Sequence, residues 1–185
     1  MGINPVTLEQ KSRAVFLDRD GVINNTIIRD GKPYPPACLE EIHINPGVKQ
    51  GLRQLKKLGY LLIVITNQPD VSRGRTSRAS VETINAFLMN NLPLDEIFVC
   101  YHDNQDNCDC RKPKPGNILK AAHKYHIDLS QSFIIGDRWS DIEAGKRAGC
   151  KTLFINNGYT EQLPDSPDYQ IHSVLDSVEI IKGSC

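Results

Sequence analysis

Arg13-Ala-Val-Phe-Leu17 runs directly into Asp18-Arg19-Asp20-Gly21. A short run that is apolar at every position, rather than at alternate ones, reads as a strand buried on both faces. The pattern recurs along the chain. Tyr60–Ile65 (YLLIVI) is followed by Thr66-Asn67-Gln68, and Ser132–Ile135 (SFII) by Gly136-Asp137-Arg138, with Asp141 one helical turn further on. Glu96–Cys100 (EIFVC) and Lys151–Ile155 (KTLFI) read as further strands. Helical spacing lies between them. Val48, Leu52, Leu55 and Leu58 lie between Pro46 and Gly59, and Val81, Ile84, Phe87 and Leu88 precede Pro93. Residues 117–125, 141–148 and 176–181 complete the set of predicted helices.

Fully apolar strands alternating with helices predict an α/β fold: one parallel sheet with helices on both faces and ligands at the carboxyl ends of the strands. Residues 24–45, with Pro33, Pro35 and Pro36, read as a long ordered loop. No insertion is large enough for a second folded unit, so residues 1–185 read as a single domain.

Composition agrees with this and excludes little else. The 185 residues are 39% hydrophobic and 24% charged, as in ordinary globular proteins, and 22 Lys+Arg balance 22 Asp+Glu. A net charge of zero argues against a non-specific nucleic-acid binder or a membrane-surface protein, both of which usually need a basic excess. The first ten residues lack the charged and apolar regions of a signal peptide. The apolar run at 61–65 is far short of the roughly 20 residues of a membrane span. The expected setting is cytoplasmic and reducing, where clustered cysteines bind metal more often than each other. Cys38, Cys150 and Cys185 stand apart and read as buried small residues or, for Cys185, a free tail thiol.

The strand ends carry the chemistry. In a parallel sheet they lie along one edge, so Asp18, Asp20, Asp137 and Thr66 should converge there, within reach of Arg111-Lys112-Pro113-Lys114. Carboxylates brought together repel unless a divalent cation shares them, and all-oxygen ligands suit Mg²⁺. Metal and lysine can hold a phosphoryl group while one carboxylate attacks phosphorus and another manages the proton. Each motif alone has a blander reading: a DxDG turn, a Thr-Asn helix cap, a solvated lysine. Their ordered combination, each at the end of its own strand, favours the chemical one.

Asp18–Val22 (DRDGV), Thr66–Gln68 (TNQ), Arg111–Gly116 (RKPKPG) and Gly136–Asp141 (GDRWSD) together resemble the four motifs of the haloacid dehalogenase-type phosphatases. The resemblance spans roughly residues 15–156. It implies a Rossmann-like fold, with Asp18 as nucleophile forming an aspartyl-phosphate and Asp20 as general acid/base. Thr66 and Lys114 would be phosphate ligands, with Asn67 nearby. Mg²⁺ would be held by Asp18, the Asp20 carbonyl and Asp137, with Asp141 behind them or orienting Arg138.

Cys100, His102, Cys108 and Cys110 fall within eleven residues and supply three thiolates and an imidazole, a closed set for structural Zn²⁺ in the loop at 100–110. A zinc loop of this kind before RKP resembles that of bacterial heptose 1,7-bisphosphate and histidinol-phosphate phosphatases. Pro69–Gly74 keeps an Arg73-Gly74 pair resembling the heptose enzymes, and Arg73, Arg111, Lys112 and Arg138 suit phosphate recognition, a second phosphate included. The favoured expectation is removal of the 7-phosphate from a heptose bisphosphate destined for nucleotide-activated heptose. Histidinol phosphate is the alternative substrate. The resemblance also implies an open site without a cap domain, in a monomer whose partner is a small phosphorylated sugar. Two other classes compete: a phosphoryl-accepting receiver domain, which also gathers acids, a Thr and a Lys at strand ends, and a zinc-ribbon binding module.

Overall fold

The computed structural model describes residues 11–184, so the expected tail thiol Cys185 lies outside the described residues. The fold centres on β1 (Ala14–Leu17), all four residues of which are buried. It is flanked by β4 (Leu61–Asn67) and β6 (Phe133–Gly136), and beyond them lie β5 (Glu96–Cys100), β7 (Lys151–Ile155) and the short β8 (Tyr169–Ile171). The sheet order is β5-β4-β1-β6-β7-β8, with every pair parallel. Ranked along the chain, the strands run 3-2-1-4-5-6, the doubly wound order that reverses between the first and fourth strands. A receiver-type sheet would run 2-1-3-4-5, with the first strand beside the third. That alternative is excluded by topology.

The unbroken apolar strands serve two cores. Val15, Leu17, Leu62, Val64 and Ile135 point to one side and pack with Val48, Leu52 and Leu55 of α1 (Val48–Lys57), Ile84 and Leu88 of α2 (Arg78–Asn91), and Val178 and Ile181 of α5 (Ser177–Lys182). Ala14, Phe16, Ile63, Ile65 and Ile134 point to the other, against Ile118 and Ala121 of α3 (Gly116–Tyr125) and Ala144 and Ala148 of α4 (Trp139–Ala148). Odd and even positions thus feed opposite layers, which is why alternation is missing from the strands. Helix ends follow local chemistry. Ser77 Oγ accepts from Ser80 N at 2.9 Å to start α2, and Gly149, at φ +84°, stops α4.

Residues 24–45 are not simply a loop. They contain a hairpin of β2 (Ile27–Arg29) and β3 (Lys32–Tyr34), turned by Asp30 and Gly31 at φ +50° and +71°. Asp-Gly with both residues left-handed is the turn whose twist matches paired strands, and Pro33 is tolerated because the ribbon has only two edges. Among the described residues this hairpin and the loop at 100–110 are the main additions to the sheet, and no cap domain is present. No helix of the described residues is long and apolar enough to cross a membrane.

Candidate active site

The topological switch point lies between β1 and β6, so Asp18 and Asp137, one residue beyond each strand, become neighbours. Asp18 N donates to the Ile135 carbonyl at 2.9 Å, which continues the strand pairing past the sheet edge. Two glycines permit the approach. A Cβ on Gly21, held at φ +92°, would fall 1.8 Å from Asp137 Oδ2, and one on Gly136 would fall 2.1 Å from Asp141 Cβ. Carboxylate oxygens of Asp18, Asp137 and Asp141 lie within 4.8 Å of one another, with all three residues buried. Asp141 Oδ2 also accepts from Arg138 N at 3.0 Å, closing the first turn of α4.

Lys112 stands opposite this cluster and is itself buried. Its Nζ lies 2.7 Å from Asp18 Oδ1 and 2.7 Å from Asp141 Oδ1, and donates to the Ile65 carbonyl at 2.6 Å. Asn67 holds the segment in place through paired bonds, Nδ2 to the Lys112 carbonyl and Lys112 N to Asn67 Oδ1. The chain then turns back, with Lys114 N on the Arg111 carbonyl, so Lys114 faces the 100–110 loop. There Lys114 Nζ contacts the Asn107 carbonyl and Asp109, half exposed and outside the cleft. The structure thus does not bring Lys114, expected as a phosphate ligand, to the carboxylates. The lysine brought to the carboxylates is Lys112, and the turn at 111–114 is the reason.

One ammonium does not neutralise three buried carboxylates. Burial, only partly offset by Lys112, pushes Asp18 up to about 6. Burial and the neighbouring Asp18 and Asp141 raise Asp137 well above the ordinary carboxylate range. Asp137 Oδ1 is buried with no hydrogen-bond partner. An orphaned carboxylate oxygen amid excess negative charge fits a divalent cation at this point. Asp20 is turned from the cluster. Its carboxylate accepts from Arg19 Nε and Nη2, from Asn24 Nδ2 at 2.9 Å and from Gln68 Nε2 at 2.7 Å. Arg19, wholly buried, is anchored in turn on Asn85 Oδ1 of α2. Gln68 also donates to Thr66 Oγ1 at 2.9 Å.

These groups open into a cleft of about 570 Å³ bordered by the β2–β3 hairpin and lined by Asp18, Asp20, Thr66, Asn67, Arg73, Arg111, Lys112 and Arg138. The arginines at its rim are tethered. Arg73 binds Asp103 through Nε and Nη2 at 2.7 and 2.5 Å and touches Asp70, and its guanidinium holds the Asp103 carboxyl down at about 2. Arg111 donates to Asn104 Oδ1 at 2.8 Å, and Arg138 pairs with Glu161 at 2.6–2.9 Å.

Behind the rim, Cys100, His102, Cys108 and Cys110 meet as the spacing predicts, with sulfur–sulfur distances of 3.1–3.7 Å and His102 Nδ1 3.3 Å from Cys110 Sγ. A tetrahedron built on Zn–S bonds of 2.3 Å needs sulfurs roughly 3.7 Å apart, so the four ligands fit one such ion.

The motifs did not point to Arg19, Asn24, Asn85, Asp103, Tyr159 or Glu161. Tyr159 had a weaker signal: it lies four residues past the carboxyl end of β7, on the sheet edge where ligands bind. The rim acids lie on loops, where spacing carries no signal.

The HAD-hydrolase-like family model matches residues 109–180. The chain is 34% identical over 184 residues to the D-glycero-β-D-manno-heptose-1,7-bisphosphate 7-phosphatase of Salmonella typhi, covering 91% of this chain and 95% of that one. It is 40% identical over 154 residues to the Helicobacter pylori enzyme of the same name, covering 79% and 86%. Among solved structures, D,D-heptose 1,7-bisphosphate phosphatase from B. bronchiseptica, complexed with magnesium and phosphate, superposes with a TM-score of 0.78 at 27% identity, covering 94% of this chain and 99% of that one. With the strand-end carboxylates, the buried lysine and the Cys/His loop all in place, the chain belongs to the heptose-1,7-bisphosphate 7-phosphatase family of haloacid dehalogenase-like hydrolases.

Proposed function

We propose that the protein removes the 7-phosphate from D-glycero-D-manno-heptose 1,7-bisphosphate through an aspartyl-phosphate on Asp18. The observation that carries the chemistry is the buried set of Asp18, Asp137, Asp141 and Lys112 at the switch point. The substrate is supported by the similarity, over most of both chains, to enzymes of that name. Asp18 Oδ attacks phosphorus and the bond to the sugar oxygen breaks. Asp20 gives that oxygen its proton, then takes one from the water that attacks the phosphoenzyme and releases phosphate. The donors around Asp20 keep its carboxylate beside, not inside, the Asp18 cluster, as this division of labour requires. Lys112 and Thr66 offset phosphoryl charge, while Asn67 fixes Lys112. Asp18, the Asp20 carbonyl and Asp137 would hold Mg²⁺, which when bound neutralises the carboxylates and polarises the phosphoryl oxygens.

Arg73 and Arg111, with Arg138, would bind the far phosphate of a bisphosphate; in support, each lines the cleft and has a polar partner on the rim. Zn²⁺ on Cys100, His102, Cys108 and Cys110 would brace the loop that carries Asp103, Asn104 and Arg111. A monomer in the cytoplasm belongs to the same reading. The test is phosphate release, side by side, from both anomers of heptose 1,7-bisphosphate, from fructose 1,6-bisphosphate and from histidinol phosphate. Preference for a heptose bisphosphate is expected, and faster turnover of histidinol phosphate would overturn the assignment.

A further inference from the structure

Asp137 is the one cluster carboxylate that neither Lys112 nor a helix terminus engages, and its bonding is asymmetric. Oδ2 accepts from Tyr159 Oη at 2.7 Å and from Asn157 Nδ2 at 3.1 Å, whereas Oδ1 is buried and unpartnered. Both donors come from the segment just after β7. Asn157 Nδ2 is also 3.1 Å from the Gly21 carbonyl and 3.0 Å from Tyr159 Oη, and Thr26 Oγ1 lies 3.2 Å from the same phenol. The phenol has one proton, which goes to Asp137, so its oxygen is left to accept from Thr26 and to share the two Asn157 amide protons with Asp137 and the Gly21 carbonyl. Tyr159 is thus fixed from three directions. A Cβ on Gly21 would come within 2.8 Å of Tyr159 Oη, so the glycine of the first motif leaves room for the phenol as well as for Asp137.

A short carboxylate can present either oxygen by rotating about its last bond. Two donors on Oδ2 remove that freedom and leave the buried, unpartnered Oδ1 as the atom free to take a ligand. We infer that Tyr159, assisted by Asn157, is a positioning residue that presents Asp137 Oδ1 to the catalytic divalent cation, so that the segment after β7 sets cation affinity. This rests on the reading of Asp137 as a cation ligand. Partners that orient metal-binding side chains typically contribute 10–100-fold to metal affinity.

The test is Mn²⁺ binding to the substrate-free protein, followed by the electron paramagnetic resonance of unbound Mn²⁺. Tyr159→Phe is expected to weaken Mn²⁺ binding about tenfold. It should raise the Mg²⁺ concentration for half-maximal phosphate release by a similar factor, while kcat at saturating Mg²⁺ stays near wild type. Asn157→Ala, in an exposed stretch, should shift both in the same direction and carries the test if Tyr159→Phe fails to fold. Unchanged Mn²⁺ affinity in the folded variant, with binding abolished by Asp137→Ala, would overturn the positioning role alone. Wild-type Mn²⁺ affinity in Asp137→Ala would overturn the cation reading on which it stands.

Discussion

Asp18→Asn should abolish turnover and, without magnesium, make the protein more stable. Asp18 sits in a site that disfavours its charge, since burial outweighs the attraction of Lys112 and moves the carboxyl from 3.8 to about 6. At ~1.4 kcal/mol per pH unit this is worth about 3 kcal/mol once the group is ionised. The sign follows from proton counting. Between these values the folded protein keeps a proton that the unfolded chain has lost, so the contribution is fully present below pH ~4 and disappears as pH rises through ~6. The amide mimics the protonated acid in shape and charge, so it escapes the loss. Urea unfolding should therefore show the variant more stable than wild type by up to about 3 kcal/mol at pH 8 and equal to it near pH 4. Magnesium should be removed by gel filtration, not by a chelator, so that the Zn²⁺ proposed for the Cys100–Cys110 loop is not stripped. Saturating Mg²⁺ at pH 8 should close the gap by stabilising wild type alone. A variant less stable than wild type at pH 8, or a gain independent of pH, would refute the claim that the charged Asp18 carboxylate is held at a cost in folding energy.

Lys112→Met should cut kcat by at least about 10²-fold, as loss of a preorganised charge at a phosphoryl site does, whereas Lys114→Met should leave kcat within about twofold and stability within about 0.5 kcal/mol. Steady-state phosphate release and thermal unfolding read both, and the reverse ranking would contradict the geometry. Arg73→Ala should raise KM for the bisphosphate by roughly tenfold and for a monophosphate much less, as loss of a charge-assisted contact worth ~1.4 kcal/mol predicts. Chelating the loop metal should produce the same selective rise, because Asp103 then loses the frame that holds Arg73, and equal effects on both substrates would count against the second-phosphate role.

Most of the sheet was legible because each strand is buried on both faces and uniform hydrophobicity leaves few other structures for it. Glu96–Cys100 and Lys151–Ile155 appear with the predicted bounds. The parts that were not legible are those whose cause is not hydrophobic. The ribbon of β2 and β3 has only partly buried or exposed residues, and its signal is the pair Asp30-Gly31. β8 has three residues and exists because Leu153–Ile155 leaves an edge to be paired.

The site shows the same division between what a strand end dictates and what a loop decides. Asp18, Thr66 and Asp137 were placed by a single rule, since each follows an apolar strand of one parallel sheet. Cys100, His102, Cys108 and Cys110 were placed by ligand count within a loop too short to separate them. Lys114 was expected from motif resemblance, and only the turn at 111–114, fixed by Asn67 reaching the Lys112 backbone, decides which lysine enters. The same contrast separates the two kinds of charge here. The carboxylates are crowded together by topology, and two of them, Asp18 and Asp141, share Lys112. The arginines stand at the rim on tethers to Asp103 and Glu161, acids on other loops. A chain with no net charge can therefore gather carboxylates at depth and guanidinium groups above them. In the proposed reading that vertical ordering would let one phosphate enter toward Lys112 while the distal phosphate meets guanidinium groups. It also makes the rim the place where substrate choice can change without disturbing the chemistry, because its ion pairs are exposed and none carries the sheet.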